Sequence, residues 1–136
     1  MSQVTGGRLF YPLAKYFWHR FSLKGDIEIG FNTVGLGVKM VHDVGTIIIN
    51  SRARIGTNCQ LSPGVIVGIS SIRRKNEVPV IGNDVYLAPN CKIFGRVKIG
   101  DNVIIVTDTI VRDIGIPSNS VAYGNPIVIK TYDKGY

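Results

Sequence analysis

Side chains able to move a proton near neutral pH are scarce in this 136-residue chain, which has two histidines, His19 and His42. An imidazole, with an unperturbed pKa of about 6.5, serves as a general base or acid at that pH. Two histidines are too few for a histidine-rich metal centre, so no metal is expected. The two cysteines, Cys59 and Cys91, form no Cys-x-x-Cys pair and are too few for a disulfide framework. His42 is singled out by its place. It opens the run His42-Asp43-Val44-Gly45, which interrupts a repeat, and a basic segment with Arg73, Arg74 and Lys75 lies downstream. That coincidence favours a functional histidine over a corner histidine satisfied by backbone groups.

The elements that must position His42 follow from a six-residue period. Ile49, Ile55, Leu61 and Val67 are six apart, and so are Ile81, Leu87, Ile93, Ile99, Ile105 and Val111. Four residues after most of these comes a small or β-branched residue: Ala53, Cys59, Val65, Val85, Cys91, Val97, Val103 and Thr109. Neither a helix, with period 3.6, nor a simple strand, with period 2, produces this pattern. It predicts an all-β solenoid, a parallel β-helix with one flat face per hexad and each lead aliphatic stacked on its equivalents eighteen residues away. The second inward position lies near a corner, where small side chains fit, so Cys59 and Cys91 are expected to be buried hydrophobes without a redox role. Asn32, Asn58, Asn83-Asp84 and Asp101-Asn102 are expected to serve turns with positive φ.

Two breaks in the period carry information. Val67 to Ile81 is fourteen residues, which extrudes a polar, basic loop over 69–79. Met40 to Ile49 is nine, and the excess holds His42-Asp43-Val44-Gly45. Insertions in solenoids gather on one face and often bind ligands.

Composition sets the class. Hydrophobic residues at 45% and charged residues at 18% exclude a disordered or coiled-coil chain, and the sixteen glycines show no triplet period. A net charge of +7 suits an anionic ligand or surface. One domain is expected, in a soluble cytoplasmic protein. No secretory signal is visible, and the first apolar stretch, Leu9 to Leu23, is interrupted by Lys15, His19 and Arg20. Phe10, Leu13, Phe17 and Phe21 fall near helical spacing, so residues 1–24 are expected to form an amphipathic aromatic helix. It would pack on the main domain or a neighbouring subunit; the other reading is peripheral membrane contact through residues 9–23. Residues 25–131 form the expected β-helix and residues 132–136 a tail.

The pieces Ile27-Glu28-Ile29, His42-Asp43-Val44-Gly45 running into Ile47-Ile48-Ile49-Asn50, Val78-Pro79-Val80-Ile81-Gly82-Asn83-Asp84-Val85-Tyr86 and Gly124-Asn125-Pro126 carry a resemblance. The chain resembles the hexapeptide-repeat acyltransferases, in their serine acetyltransferase-like and polysaccharide O-acetyltransferase-like branch. The resemblance implies a left-handed parallel β-helix, homotrimers, and acetyl-CoA and acceptor bound in clefts between subunits. It implies that His42 is the general base that takes the proton of an acceptor hydroxyl, without a covalent enzyme intermediate. Glu28 is the nearest match to the carboxylate that orients the histidine, with Asp26 and Asp43 as rivals. For the CoA moiety the resemblance points to Gly68, Pro89, Thr107, Arg112 and Lys130, and charge alone adds Arg73, Arg74 and Lys75.

The departures from the family pattern bear on the acceptor. Where serine acetyltransferases carry an Arg-His-Pro segment, this chain reads Glu77-Val78-Pro79, and the late Ile-Gly-Ala-x reads Ile105-Val106-Thr107-Asp108. The missing second histidine favours a hydroxyl of a sugar or polysaccharide precursor as acceptor. Serine or antibiotic O-acetylation, or a non-catalytic trimeric scaffold, are the alternatives. A carbonic-anhydrase-like β-helix would need three histidines around a metal, and no nucleic-acid-binding motif appears.

Overall fold

The structure is a computed structural model, and it describes Tyr16, residues 26–42 and residues 45–133. The helix expected over 1–24, apart from Tyr16, lies outside the described residues, as do Asp43 and the end of the tail.

The chain winds through five coils, each contributing short strands to three parallel sheets. The first sheet stacks β1 (Ile27–Ile29), β3 (Ile47–Ile49), β6 (Ile66–Gly68), β9 (Lys92–Phe94) and β12 (Ile110–Arg112). The second stacks β4 (Arg54–Ile55), β7 (Val80–Ile81), β10 (Lys98–Ile99) and β13 (Gly115–Ile116), with Val34 bridging to Ile55. The third stacks β2 (Lys39–Met40), β5 (Gln60–Leu61), β8 (Tyr86–Leu87), β11 (Val103–Ile105) and β14 (Ser120–Tyr123). The antiparallel strand β15 (Val128–Thr131) closes the third sheet.

All ten lead aliphatics of the hexads are buried, from Ile49 to Val111, and so are the eight residues four places after them, Cys59 and Cys91 included. They form one continuous core running the length of the solenoid. Each is covered by its equivalents in neighbouring coils, so the core forms by stacking rather than by folding one layer on another.

The register departs from eighteen where the sequence does. Ile49 aligns with Val67 at that spacing, but Ile55 aligns with Ile81 because the 69–79 loop intervenes. The first coil pairs at twenty residues on the first sheet, Ile27 with Ile47. On the third sheet it pairs at twenty-one, Lys39 with Gln60. The last step shortens to seventeen, Ile99 with Ile116.

The corners explain the turn residues. Asn32, Asn58, Asp84 and Asn102 all have φ between 53° and 61°. Their neighbours Asn83 and Asp101 act differently, through side chains. The Thr57 N–H donates to Asn83 Oδ1 at 2.9 Å, the Asn83 N–H to Asp101 Oδ1 at 2.7 Å, and the Asp101 N–H to Ser118 Oγ at 2.9 Å. Each coil thereby satisfies a turn N–H of the coil before it. Leu36 stands at the head of this column, one coil before Thr57, and is 87% exposed. Beside the ladder the backbone approaches so closely that a Cβ on Gly56 would lie 2.5 Å from the Gly82 carbonyl oxygen.

Candidate active site

His42 stands at the corner where the third sheet of the first coil passes to the first sheet of the second. That corner runs from Met40, paired with Leu61, to Ile48, paired with Ile66, and is three residues longer than the corner beneath it. Both feet are pinned. The Val41 N–H donates to the Leu61 carbonyl at 2.9 Å, and the Thr46 carbonyl accepts from the Gly64 N–H at 2.7 Å. Gly45 has a φ of 109°, and a Cβ there would lie 2.6 Å from Pro63 Cβ. The glycine lets the bulge settle on the next coil while His42 stays exposed.

The same corner carries further residues in the later coils. Pro89 follows β8 and Thr107 follows β11. The Thr107 hydroxyl donates to the Pro89 carbonyl at 2.9 Å, and the same carbonyl accepts the Asp108 N–H at 3.1 Å. Asn125 continues the column, its Nδ2 donating to the Asp108 carbonyl at 2.8 Å. His42, Pro89 and Thr107 thus share one edge of the prism, with His42 at its first coil boundary.

Glu28 projects outward from the middle of β1. No ion pair joins it to His42; among the described residues, the ion pairs are those of Glu77. Asp26 is exposed in the turn before β1, with a φ of 53°.

The basic loop leaves from a different corner, between β6 of the first sheet and β7 of the second. Its Ile72–Arg74 stretch is a single 3-10 turn, capped by the Ser71 side chain, which accepts the Arg73 N–H. Residues of the flanking coils hold it. Arg52 donates to the Lys75 carbonyl at 3.1 Å and to Asn76 Oδ1 at 3.3 Å. Glu77 pairs with Arg96 at 3.2 Å and with Arg74 at 3.5 Å. Arg74 is therefore turned back toward the loop's own base, and Arg73 has no ion-pair partner among the described residues.

Gly68 and Arg112 occupy the outward face of the first sheet, in one column with Phe94 between them. Lys130 lies apart, on β15, with its ammonium 5.9 Å from the centre of the Tyr123 ring. The sequence candidates therefore fall into separate places: one edge with His42, Pro89 and Thr107, the loop corner, the outward column with Gly68 and Arg112, and, apart from these, Glu28 on β1 and Lys130 on β15. Sequence reasoning does not single out Phe94, Arg52 or Arg96. For Phe94 a signal existed, since an aromatic directly after the lead residue Ile93 must face outward.

Both cysteines are buried and far from acting as thiolates. Burial pushes the Cys59 thiol up, only partly offset by a backbone hydrogen bond, and burial pushes Cys91 up to about 12. Among the described residues no group of three or more His, Cys, Asp or Glu could hold a metal ion.

No family model matches the chain. The serine acetyltransferase of Staphylococcus aureus (strain Mu50) is 30% identical over 108 residues, which are 74% of this chain and 50% of that protein. The crystal structure of Neisseria gonorrhoeae serine acetyltransferase superposes with a TM-score of 0.70 at 26% identity, covering 88% of this chain and 46% of that one. The chain is similar, in sequence and in fold, to serine acetyltransferases of the hexapeptide-repeat acyltransferase family. The solenoid is accordingly the left-handed β-helix of that family. A second structure of the Neisseria gonorrhoeae protein, in complex with serine, gives a TM-score of 0.64 at 27% identity over 86% of this chain and 47% of that one. The chain spans about half the length of the curated relatives it matches. Among the described residues, no helix is long and apolar enough to cross a membrane.

Proposed function

We propose that this β-helix is the acyl-transferring part of an O-acetyltransferase that moves acetyl from acetyl-CoA to the hydroxyl of serine. The carrying observation is His42, exposed on a lengthened corner with both feet hydrogen-bonded, in a chain whose relatives are serine acetyltransferases. His42 takes the proton of the acceptor hydroxyl as its oxygen attacks the thioester carbonyl. The carbon–sulfur bond breaks, and the imidazolium returns the proton to the departing CoA thiolate. Neither buried cysteine takes part. Glu28 is the candidate for orienting the imidazole, with Asp26 and Asp43 as rivals.

Serine replaces the sugar hydroxyl expected from sequence because the relatives' names and the serine-bound neighbour support it. One observation favours the sugar as a second reading: Glu77-Val78-Pro79 stands in place of Arg-His-Pro, and Glu77 is engaged with Arg74 and Arg96. A homotrimer with clefts between subunits is supported by the separation of the His42 edge from the loop corner, since a cleft using both draws on two copies. Acetyl-CoA-dependent thiol release with L-serine, set against the same assay with free sugars, tests the acceptor, with molar mass from light scattering alongside. Serine-dependent release by a trimer is expected. Release with sugars alone would replace serine, and a folded protein without affinity for acetyl-CoA would overturn the reading.

A further inference from the structure

Gly68, Phe94 and Arg112 stand side by side on the outward face of the first sheet, in direct register across three coils. The Arg112 guanidinium lies over the Phe94 ring, 5.9 Å from its centroid. On the ring's other side is Gly68, and nothing in the fold requires a glycine there. It is not among the residues with positive φ. A Cβ built on it would meet only the Phe94 ring, at 3.8 and 3.9 Å, which is ordinary contact. At Gly56 and Gly82, by contrast, the backbone of the next coil excludes any side chain.

The missing side chain leaves a slot. One coil upstream, the Asn50 N–H donates to the Val67 carbonyl at 2.8 Å, which sets Asn50 beside Gly68. Coils spaced about 4.8 Å apart place Asn50 and Phe94 roughly 9.5 Å apart. That gap admits one planar ring at the centroid separation of stacked aromatics, about 4.5–7 Å. The slot opens onto the start of the basic loop, where Arg73 is the arginine not paired with Glu77. Arg112 closes the far side of the ring stack.

We propose that Phe94 stacks the planar, nucleobase-type ring of a phosphate-bearing ligand seated over Gly68, with Arg112 and Arg73 meeting its phosphates. This inference rests on the acetyl-CoA reading and assigns the slot to the adenine of the donor. Base–aromatic stacking tolerates any planar heterocycle, and removing the aromatic weakens binding by about tenfold to a hundredfold. The cations supply the anion preference.

The test is calorimetric titration of coenzyme A, and separately of pantetheine, which lacks the nucleotide, into the wild type, Phe94→Ala and Gly68→Val. Both variants are expected to bind coenzyme A about tenfold to a hundredfold more weakly and pantetheine as the wild type does. Gly68→Val, which fills the slot and keeps the ring, is expected to melt no lower than the wild type, so its loss of affinity cannot be ascribed to unfolding. If the wild type binds coenzyme A and both variants bind it within twofold, the stacking site is wrong and the transferase reading stands. If the wild type binds no coenzyme A, both fall together.

Discussion

Arg52 reaches across the loop corner to donate to the carbonyl of Lys75 at 3.1 Å, a residue twenty-three positions later in the chain. Together with the Arg96–Glu77 pair it ties the extruded loop to the coils before and after it. The loop is thus held by polar contacts at its base, while its tip residue Ile72 is 77% exposed.

Loosening that base should be visible without loss of the fold. Exposed pairs contribute little to global stability, within about 1 kcal/mol. Arg52→Ala is expected to leave the melting temperature almost unchanged and to speed trypsin cleavage after Arg73, Arg74 or Lys75 about fivefold, the equivalent of about 1 kcal/mol in local opening. Unchanged cleavage kinetics would show that the loop is held by something other than Arg52.

His42→Ala is expected to lower turnover by about 10²–10⁴-fold, the usual range for removing a general base. Because His42 is exposed and the pinned groups of its corner are backbone, the variant should keep the wild-type melting curve and its affinity for acetyl-CoA. Thiol release within tenfold of the wild type would remove His42 from the chemistry.

Thr109 faces the core at a hexad position, and its Oγ1 is buried without a hydrogen-bond partner. A buried hydroxyl without a partner forfeits its hydration, at about 1–3 kcal/mol. Thr109→Val, nearly equal in shape, is expected to raise unfolding free energy by about 1 kcal/mol in urea titrations. A destabilised variant would mean that the hydroxyl is in fact satisfied.

The Cys91 thiol predicts a pH dependence. Its folded value, pushed up to about 12 by burial, lies above the ordinary 9.0. The folded state then holds the proton more tightly than the unfolded one. The associated stability is complete below pH 9 and is lost as pH rises toward 12, at up to about 1.4 kcal/mol per pH unit. Cys91→Val, compared with the wild type in denaturant melts at pH 8 and pH 10.5, should lose less stability at the higher pH. Equal losses would show that burial of the thiol is not responsible.

The core was legible in sequence because a hexad repeat puts every lead residue on an inward column, so Ile49 to Val111 could be read from spacing alone. The long corner at His42 was legible for the same reason, as a break in that spacing. Neither the ladder through Asn83 and Asp101 nor the anchoring by Arg52 and Arg96 was. The Thr57–Asn83 rung and the Arg52 anchor depend on which residues the 69–79 insertion brings side by side, the later rungs depend on turn side chains, and a periodic pattern fixes inward positions far better than outward ones. Phe94 escaped for that reason, although its neighbours in the column, Gly68 and Arg112, were both candidates. The sugar acceptor expected from Glu77-Val78-Pro79 rests on a departure of three residues, whereas similarity to serine acetyltransferases over 108 residues supports the serine alternative better.

The stacking of His42, Pro89 and Thr107 along one edge turns the solenoid into a ruler. Three coil boundaries separate the His42 corner from the Thr107 corner, roughly 14 Å at the spacing of β-strands. On the proposed acetyl-transfer reading, with His42 at the reactive end and Thr107 a contact for the donor, coil number sets the length of what the molecule binds. Duplicating the eighteen residues between Ile93 and Val111 would preserve every inward column and lengthen that measure by one strand spacing, about 4.8 Å.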